Sequence, residues 1–145
     1  MNEVKKPQVG LVLAGGGGKG TFQIGVWKAL RASGLDRFIT DVSGASVGAL
    51  NAVLFAYTMS ASTEQEQKRH FNESTKIWKK MIGPEVLLAG AKKGEFSLCS
   101  REGLKDIIRR HVDMNFFNES PFDCYVACVS NQKSNAFVLE KNKMP

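Results

Sequence analysis

Residues 38–56 read Phe38-Ile39-Thr40-Asp41-Val42-Ser43-Gly44-Ala45-Ser46-Val47-Gly48-Ala49-Leu50-Asn51-Ala52-Val53-Leu54-Phe55-Ala56. Phe38 to Ser43 suits a strand and Ala49 to Ala56 a mostly apolar helix. Between them Gly44-Ala45-Ser46-Val47-Gly48 matches G-x-S-x-G, in the strand-to-helix setting that this pattern requires. A sharp turn there holds a serine in a strained conformation and lifts its Oγ above the sheet. The flanking glycines leave room for the tight backbone and for substrate. The helix that follows directs its partial positive end at the serine, which favours an alkoxide and an oxyanion. A glycine-rich chain produces such a match by chance often enough that its placement carries more weight than the match.

Working upstream, Gln8 to Ala14 is a short apolar run ending in glycines, which predicts a buried strand with both faces covered. Gly15-Gly16-Gly17-Gly18-Lys19-Gly20 then opens a helix from Thr21 to Ser33, in which Ile24, Trp27, Ala29 and Leu30 recur at helical spacing. Gly34 is placed to end it. The order strand, glycine loop, helix, strand, glycine turn, helix is α/β, with a parallel sheet and right-handed crossovers. Downstream, Ser60 to Ser62 are candidate caps for a polar helix from about Thr63 to Ile82, stopped by Gly83-Pro84. Ser100 is a candidate cap for a helix with Leu104, Ile107 and Ile108 as its apolar stripe. Phe122 to Val129 and Ala136 to Leu139 read as an antiparallel hairpin joined by the polar turn Ser130 to Asn135.

The glycine loop admits three chemistries. A P-loop fails, because Lys19 is followed by Gly20 rather than Ser or Thr, and Leu13 stands where its first glycine belongs. A dinucleotide fingerprint is literally present at Gly15, Gly17 and Gly20. It needs an acidic residue at the end of the second strand, where this chain has Ser43-Gly44. The third reading is an oxyanion hole: Cβ-free residues let backbone N–H groups turn toward an oxygen that becomes negative during acyl transfer. In a parallel sheet successive strand-helix turns share one carboxyl edge, so the glycine loop and Ser46 would flank one crevice.

The bulk properties limit the classes that remain. A chain of 145 residues, 43% hydrophobic and 23% charged, makes one domain over residues 1–145 with a core of its own. No run of roughly 18 apolar residues is present, so no membrane-spanning helix is expected. The polar start Met1 to Lys6 and the lack of a small-residue cleavage site argue against a secretory signal. Cys99, Cys124 and Cys128 form an odd set. Cys124 and Cys128 fall on one face of a strand, too far apart to bridge, which fits a reduced, cytosolic compartment. The formal net charge is +6. The pairs Lys68-Arg69, Lys79-Lys80, Lys92-Lys93 and Arg109-Arg110 read as solvated helix surface. They leave room for peripheral contact with anionic lipid headgroups, at roughly 1 kcal/mol per basic residue near a membrane. No basic stripe interleaves with aromatics, so nucleic acid is not an expected partner.

With both motifs in place, the chain resembles the patatin-like phospholipase family. Gly15-Gly16-Gly17-Gly18-Lys19-Gly20 meets that family's G-G-G-x-[KR]-G loop, and Gly44-Ala45-Ser46-Val47-Gly48 meets its nucleophile elbow. Ala14 stands where the α/β-hydrolases place the histidine of H-G-G-G. Phe122 to Leu139 is similar to the strand pair before the family's acidic motif. The resemblance implies a three-layer α/β/α sandwich with a mainly parallel sheet, incomplete in this chain. It implies hydrolysis of lipid acyl esters, phospholipids above all, by a Ser-Asp dyad without metal or organic cofactor. Ser46 would be acylated, the amides of Gly15, Gly16, Gly17, Gly18 and Val47 would bind the oxyanion, and Lys19 would brace the loop.

One part of the pattern is missing. The family's aspartate is followed by Gly-Gly or Gly-Ala, whereas Asp36, Asp41, Asp106, Asp113 and Asp123 precede Arg37, Val42, Ile107, Met114 and Cys124. Serine without an adjacent base is a poor nucleophile. The expectation is a chain truncated before its catalytic aspartate and inactive alone. The alternatives are an inactive homologue that binds lipid or a partner, and a nucleotide-binding module using Gly15, Gly17 and Gly20. His70 and His111 read as surface histidines, the cysteines as buried thiols rather than zinc ligands, and Trp27, Trp78 and Phe116-Phe117 as core or rim packing. Phe116-Phe117 could instead edge an acyl-chain groove.

Overall fold

The computed structural model describes residues 8–81, 101–129 and 136–140. Val9–Leu13 forms β1, Gly20–Ala32 α1, Ile39–Ala45 β2, Val47–Met59 α2 and Glu64–Met81 α3. Arg101–His111 (α4), Met114–Glu119 (α5), Asp123–Val129 (β3) and Ala136–Glu140 (β4) follow. The sheet order is β1-β2-β3-β4, with the first three strands parallel and β4 antiparallel to β3. This is the α/β arrangement with a mainly parallel sheet that the alternation of strand and helix patterns predicts. The terminal hairpin pairs Tyr125 with Glu140 through to Val129 with Ala136. Lys92-Lys93, the stop at Gly83-Pro84, Cys99, the cap at Ser100 and the turn Ser130 to Asn135 lie outside the described residues.

Register decides which side chains share a face. Leu11, Val42 and Cys124 lie abreast, and so do Val12, Ser43 and Tyr125 on the other side, because successive strand residues point oppositely. The core forms on the first face, where Leu11 and Leu13 pack against buried residues of α1 and α2. Helix α2 is enclosed on almost every side: Val47, Leu50, Ala52, Val53, Leu54, Phe55 and Ala56 are all buried. That explains why it is apolar all round instead of striped. Trp27 of α1 sits 5.0 Å from Phe55 and 4.9 Å from Phe71 of α3, ring centre to ring centre. Val112 and Phe117 close the core from the α4–α5 side.

Several local expectations are corrected. Among the described residues β1 is an edge strand, and Val12 is 78% exposed on the face turned away from the described helices, so they do not cover the strand on both faces. In α1 Ile24 and Trp27 are buried and Leu30 half-buried, but Ala29 is exposed. Two residues carry the chain about 200° round the helix from Trp27. Gly34 does end this helix, at φ 67, with the Leu35 amide donating to Leu30 O and the Gly34 amide to Arg31 O. Helix α2 runs on past Ala56 because Thr58 is buried with its hydroxyl returned to Leu54 O at 2.8 Å. Ser60 then finishes α2 by donating to Ala56 O, and the start of α3 is capped by Thr63, which accepts from the Glu66 amide at 3.2 Å. The caps are therefore not Ser60 to Ser62. Helix α5 is additional, its first turn capped by Asp113 accepting from the Asn115 and Phe116 amides.

His70 is not a plain surface residue. Its ring stacks on Tyr57 at 4.5 Å, and Nδ1 is buried without a hydrogen-bond partner. Burial, with Arg69 beside it, holds its pKa below the ordinary histidine value. Lys68, Arg69, Lys79, Lys80, Arg109 and Arg110 are all exposed. Cys124 is a buried thiol and Cys128 a half-buried one. No helix among the described residues is long and apolar enough to cross a membrane.

Candidate active site

β1 ends at Leu13, paired with Gly44 of β2, so the glycine loop and the serine turn leave the sheet at the same edge. The turn between β2 and α2 is a single residue, Ser46, at φ 54 and ψ −127. It is the one non-glycine residue with positive φ among the described residues. For an L-residue this conformation stores about 1–3 kcal/mol and persists only where the surroundings impose it. The surroundings here are two glycines and the three backbone carbonyls they abut. A Cβ on Gly44 would overlap the Gly48 carbonyl, and one on Gly48 would overlap Leu13 O and reach 2.6 Å from Ala14 O. The first turn of α2 thus lies directly on the backbone ends of β1 and β2, and the serine is forced outward.

The Ser46 side chain is exposed and makes no cap hydrogen bond with the helix it precedes. At the head of α2 the Ala49 and Leu50 amides donate to Ser46 O, while those of Val47 and Gly48 have no helix carbonyl one turn back to bond. That first turn carries no acidic residue. A positive helix end and an uncommitted hydroxyl therefore share one spot.

The glycine loop comes to the same place. A Cβ on Gly15 would stand 3.2 Å from Ser46 Cβ, 4.0 Å from Ser46 Oγ and 3.5 Å from Ala45 O. A larger residue at Gly15 would press on the Ser46 side chain at its Cβ. Gly15, Gly16 and Gly17 are exposed and Gly18 half-buried. Gly17–Lys19 forms a 3-10 turn whose internal bonds use the Lys19 amide, on Gly16 O at 3.1 Å, and the Gly20 amide, on Gly17 O and Gly18 O. The Lys19 side chain lies over Gly16, its Cβ 3.4 Å from where a Gly16 Cβ would be. Gly20 is set apart from the crevice. It is buried under the indole of Trp78, which a Cβ there would overlap.

The aspartates are engaged elsewhere. Asp36 pairs with Arg31 at 3.5 Å, Asp41 accepts from Thr40 at 2.7 Å, Asp106 lies 3.8 Å from Arg110, and Asp113 caps α5. Asp123 opens β3 opposite Asp41. That is five residues before the serine along the sheet, roughly 15 Å at strand rise.

Three site residues escape a motif reading: Asn51, Gln23 and Trp78. Asn51 is 1% exposed in the apolar helix α2, and its side chain bonds to both α1 and α3. A single amide inside an otherwise apolar run was the signal.

A β-strand, a one-residue strained serine turn and a helix, faced by a glycine loop from the neighbouring strand, define an α/β protein with G-x-S-x-G at a strand-to-helix turn. The family model for patatin-like phospholipases matches residues 11–141, and the chain belongs to that family. It is similar to a patatin-like phospholipase domain-containing protein, ZK370.4, of Caenorhabditis elegans, 36% identical over 75 residues, 51% of this chain and 5% of that protein. It is similar to lysophospholipase nte1 of Aspergillus terreus, 50% identical over 48 residues, 33% of this chain and 3% of that protein. Neuropathy target esterase sws of Drosophila persimilis is 34% identical over 70 residues, 48% of this chain and 5% of that protein. The matched stretches therefore span no more than 5% of the length of these relatives. Among solved structures, VipD from Legionella pneumophila is 14% identical, with a TM-score of 0.44 covering 94% of this chain and 40% of that one.

Proposed function

We propose that this chain supplies the nucleophile and oxyanion half of a serine lipid acyl hydrolase, of phospholipase A or lysophospholipase type. The observation that carries this reading is the contact between Gly15 and Ser46, two motif residues from different strands meeting at one edge of the sheet. Ser46 Oγ attacks the acyl carbonyl carbon, giving its proton to an aspartate carboxylate. The carbonyl oxygen becomes negative in the crevice, where the amides of Gly15 to Gly18 and of Val47 are its donors. Loss of one such donor typically costs about 2.7–4 kcal/mol of barrier. The lyso-lipid or alcohol leaves with the proton, and water then releases the fatty acid from the acyl-serine by the same route. No aspartate of this sequence stands in an Asp-Gly motif, so the dyad aspartate comes from outside these residues. No metal or cofactor takes part.

Family membership and the lysophospholipase among the relatives support the lipid substrate class. The exposed basic pairs suit peripheral contact with an anionic membrane surface. The test is reaction of the full-length protein with a fluorophosphonate probe. Labelling should map to Ser46, disappear in Ser46→Ala, and be prevented by phospholipid or lysophospholipid vesicles. Labelling that survives Ser46→Ala refutes the assignment.

A further inference from the structure

The hydrogen bonds around Asn51 run in one direction only. Trp78 Nε1 donates to Asn51 Oδ1 at 2.6 Å, and an indole N–H can do nothing but donate. Asn51 Nδ2 donates to Gly20 O at 3.0 Å, and a carbonyl can do nothing but accept. The amide is therefore fixed by its partners and cannot flip. Its second N–H donates to Gln23 Oε1 at 2.8 Å, which in turn fixes the Gln23 amide and leaves its NH2 facing outward. Gln23 Nε2 donates to Ala14 O at 2.6 Å. The relay begins on α3, passes through α2, and ends on the peptide bond that enters the glycine loop.

That last link bears on the chemistry. Ala14 C=O and Gly15 N–H belong to one planar trans peptide and point in opposite directions. A donor that holds Ala14 O toward α1 thereby sets the direction of the Gly15 N–H. Gly48 packs against the same Ala14 carbonyl from α2, and Gly15 packs against Ser46. The head of α1 is clamped in parallel, since Asn51 holds Gly20 O while Trp78 covers Gly20. Both ends of the loop, Ala14 and Gly20, are thus tied to a residue of the nucleophile helix.

We propose that Asn51, acting through Gln23, is the positioning residue that fixes the Ala14–Gly15 peptide and the glycine loop relative to Ser46. The inference rests on the oxyanion reading of that loop for its catalytic consequence, though the tether itself does not. The inner links of this network, from Trp78 through Asn51 to Gly20, are buried, and the outer link from Gln23 to Ala14 O is exposed; a buried polar network with its partners satisfied rigidifies what it joins. Displacement of a catalytic group by about 1 Å can lower a rate on the order of a hundredfold.

The test compares Gln23→Met and Asn51→Asp with the parent in the full-length protein. Gln23 is half-buried, so Gln23→Met keeps the bulk of the side chain while removing the bond to Ala14 O together with the acceptor of the second Asn51 N–H. Asn51→Asp places carboxylate oxygens against Gly20 O and Gln23 Oε1. Two readouts are needed, fluorophosphonate kinetics at Ser46 and amide hydrogen exchange over residues 14–20. For Gln23→Met the expected result is a maximal labelling rate down roughly tenfold to a hundredfold, with the half-saturating probe concentration unchanged. Exchange in the loop should quicken while exchange in α3 stays at the parent rate. Asn51→Asp, where it folds, should show the larger loss. Unchanged loop exchange and labelling in Gln23→Met overturn the proposal, and so does quickened exchange throughout the domain with no selective effect on the loop. A parent that does not label at Ser46 refutes the hydrolase reading, while loop exchange still decides for or against the tether.

Discussion

Replacing Ser46 by glycine should stabilise the domain while abolishing the proposed reaction of the full-length protein with a fluorophosphonate. At φ 54 and ψ −127 the serine occupies the mirror image of an ordinary extended conformation. The Cβ of an L-residue is strained there, at about 1–3 kcal/mol, while glycine enters the region freely. Glycine's greater freedom in the unfolded chain takes back about 0.4–1 kcal/mol. The net gain is therefore on the order of 1 kcal/mol. Ser46→Ala is the control, because it removes the same hydroxyl and keeps the Cβ. Since Oγ makes no cap bond, Ala should fall within about 0.5 kcal/mol of the parent. Urea unfolding and calorimetry of the three proteins should place Ser46→Gly above the other two, with a midpoint higher by a few degrees, at roughly 2–4 °C per kcal/mol. A Ser46→Gly midpoint at or below that of Ser46→Ala would mean that the turn is not strained and that the close packing of α2 does not impose it.

Gly48→Ala should lower stability by roughly 3 kcal/mol or prevent folding, because the added methyl overlaps Leu13 O and drives α2 off the end of β1; soluble yield and urea midpoint measure it. Stability should also fall as the pH is lowered from 7.5 toward 5.5 through His70, whose folded pKa lies below its unfolded value of about 6.5. The neutral ring is the one the folded state prefers, so the unfolded chain binds more protons in that window and acid favours unfolding. His70→Phe keeps the stack on Tyr57 and should lose less of its melting temperature over the same range; an equal loss in both proteins rules His70 out as the cause.

What the sequence made legible was whatever depends on near neighbours. The α/β order, the antiparallel hairpin and the serine turn between β2 and α2 all follow from short patterns. What it hid was set by distant partners. β1 is as apolar as a doubly covered strand, yet it lies at the edge of the described sheet with Val12 on the face away from the described helices. Nothing within the run Gln8 to Ala14 encodes that position. The apolar run read as a helix stops at Ala56, and nothing in it shows that Thr58 is buried in the same helix with its hydroxyl on Leu54 O. Helix α5 is too short to show a period, and only the cap residue Asp113 announces it.

The same division runs through the site. Glycines and a serine can be recognised from their spacing because each answers a local demand: room beside a carbonyl, or a backbone turned sharply. How the two turns are held together cannot be recognised that way, since Asn51 meets partners 31, 28 and 27 residues away. The family motif therefore records the two turns themselves, while the tether proposed between them is written in an amide that looks out of place in its helix. For an α/β protein of this kind, a lone polar residue in the helix after the serine is the position at which to look for that tether. The physical reason is general, since such a residue can be buried only if partners from other elements satisfy it, and those partners here lead to the loop that faces the serine.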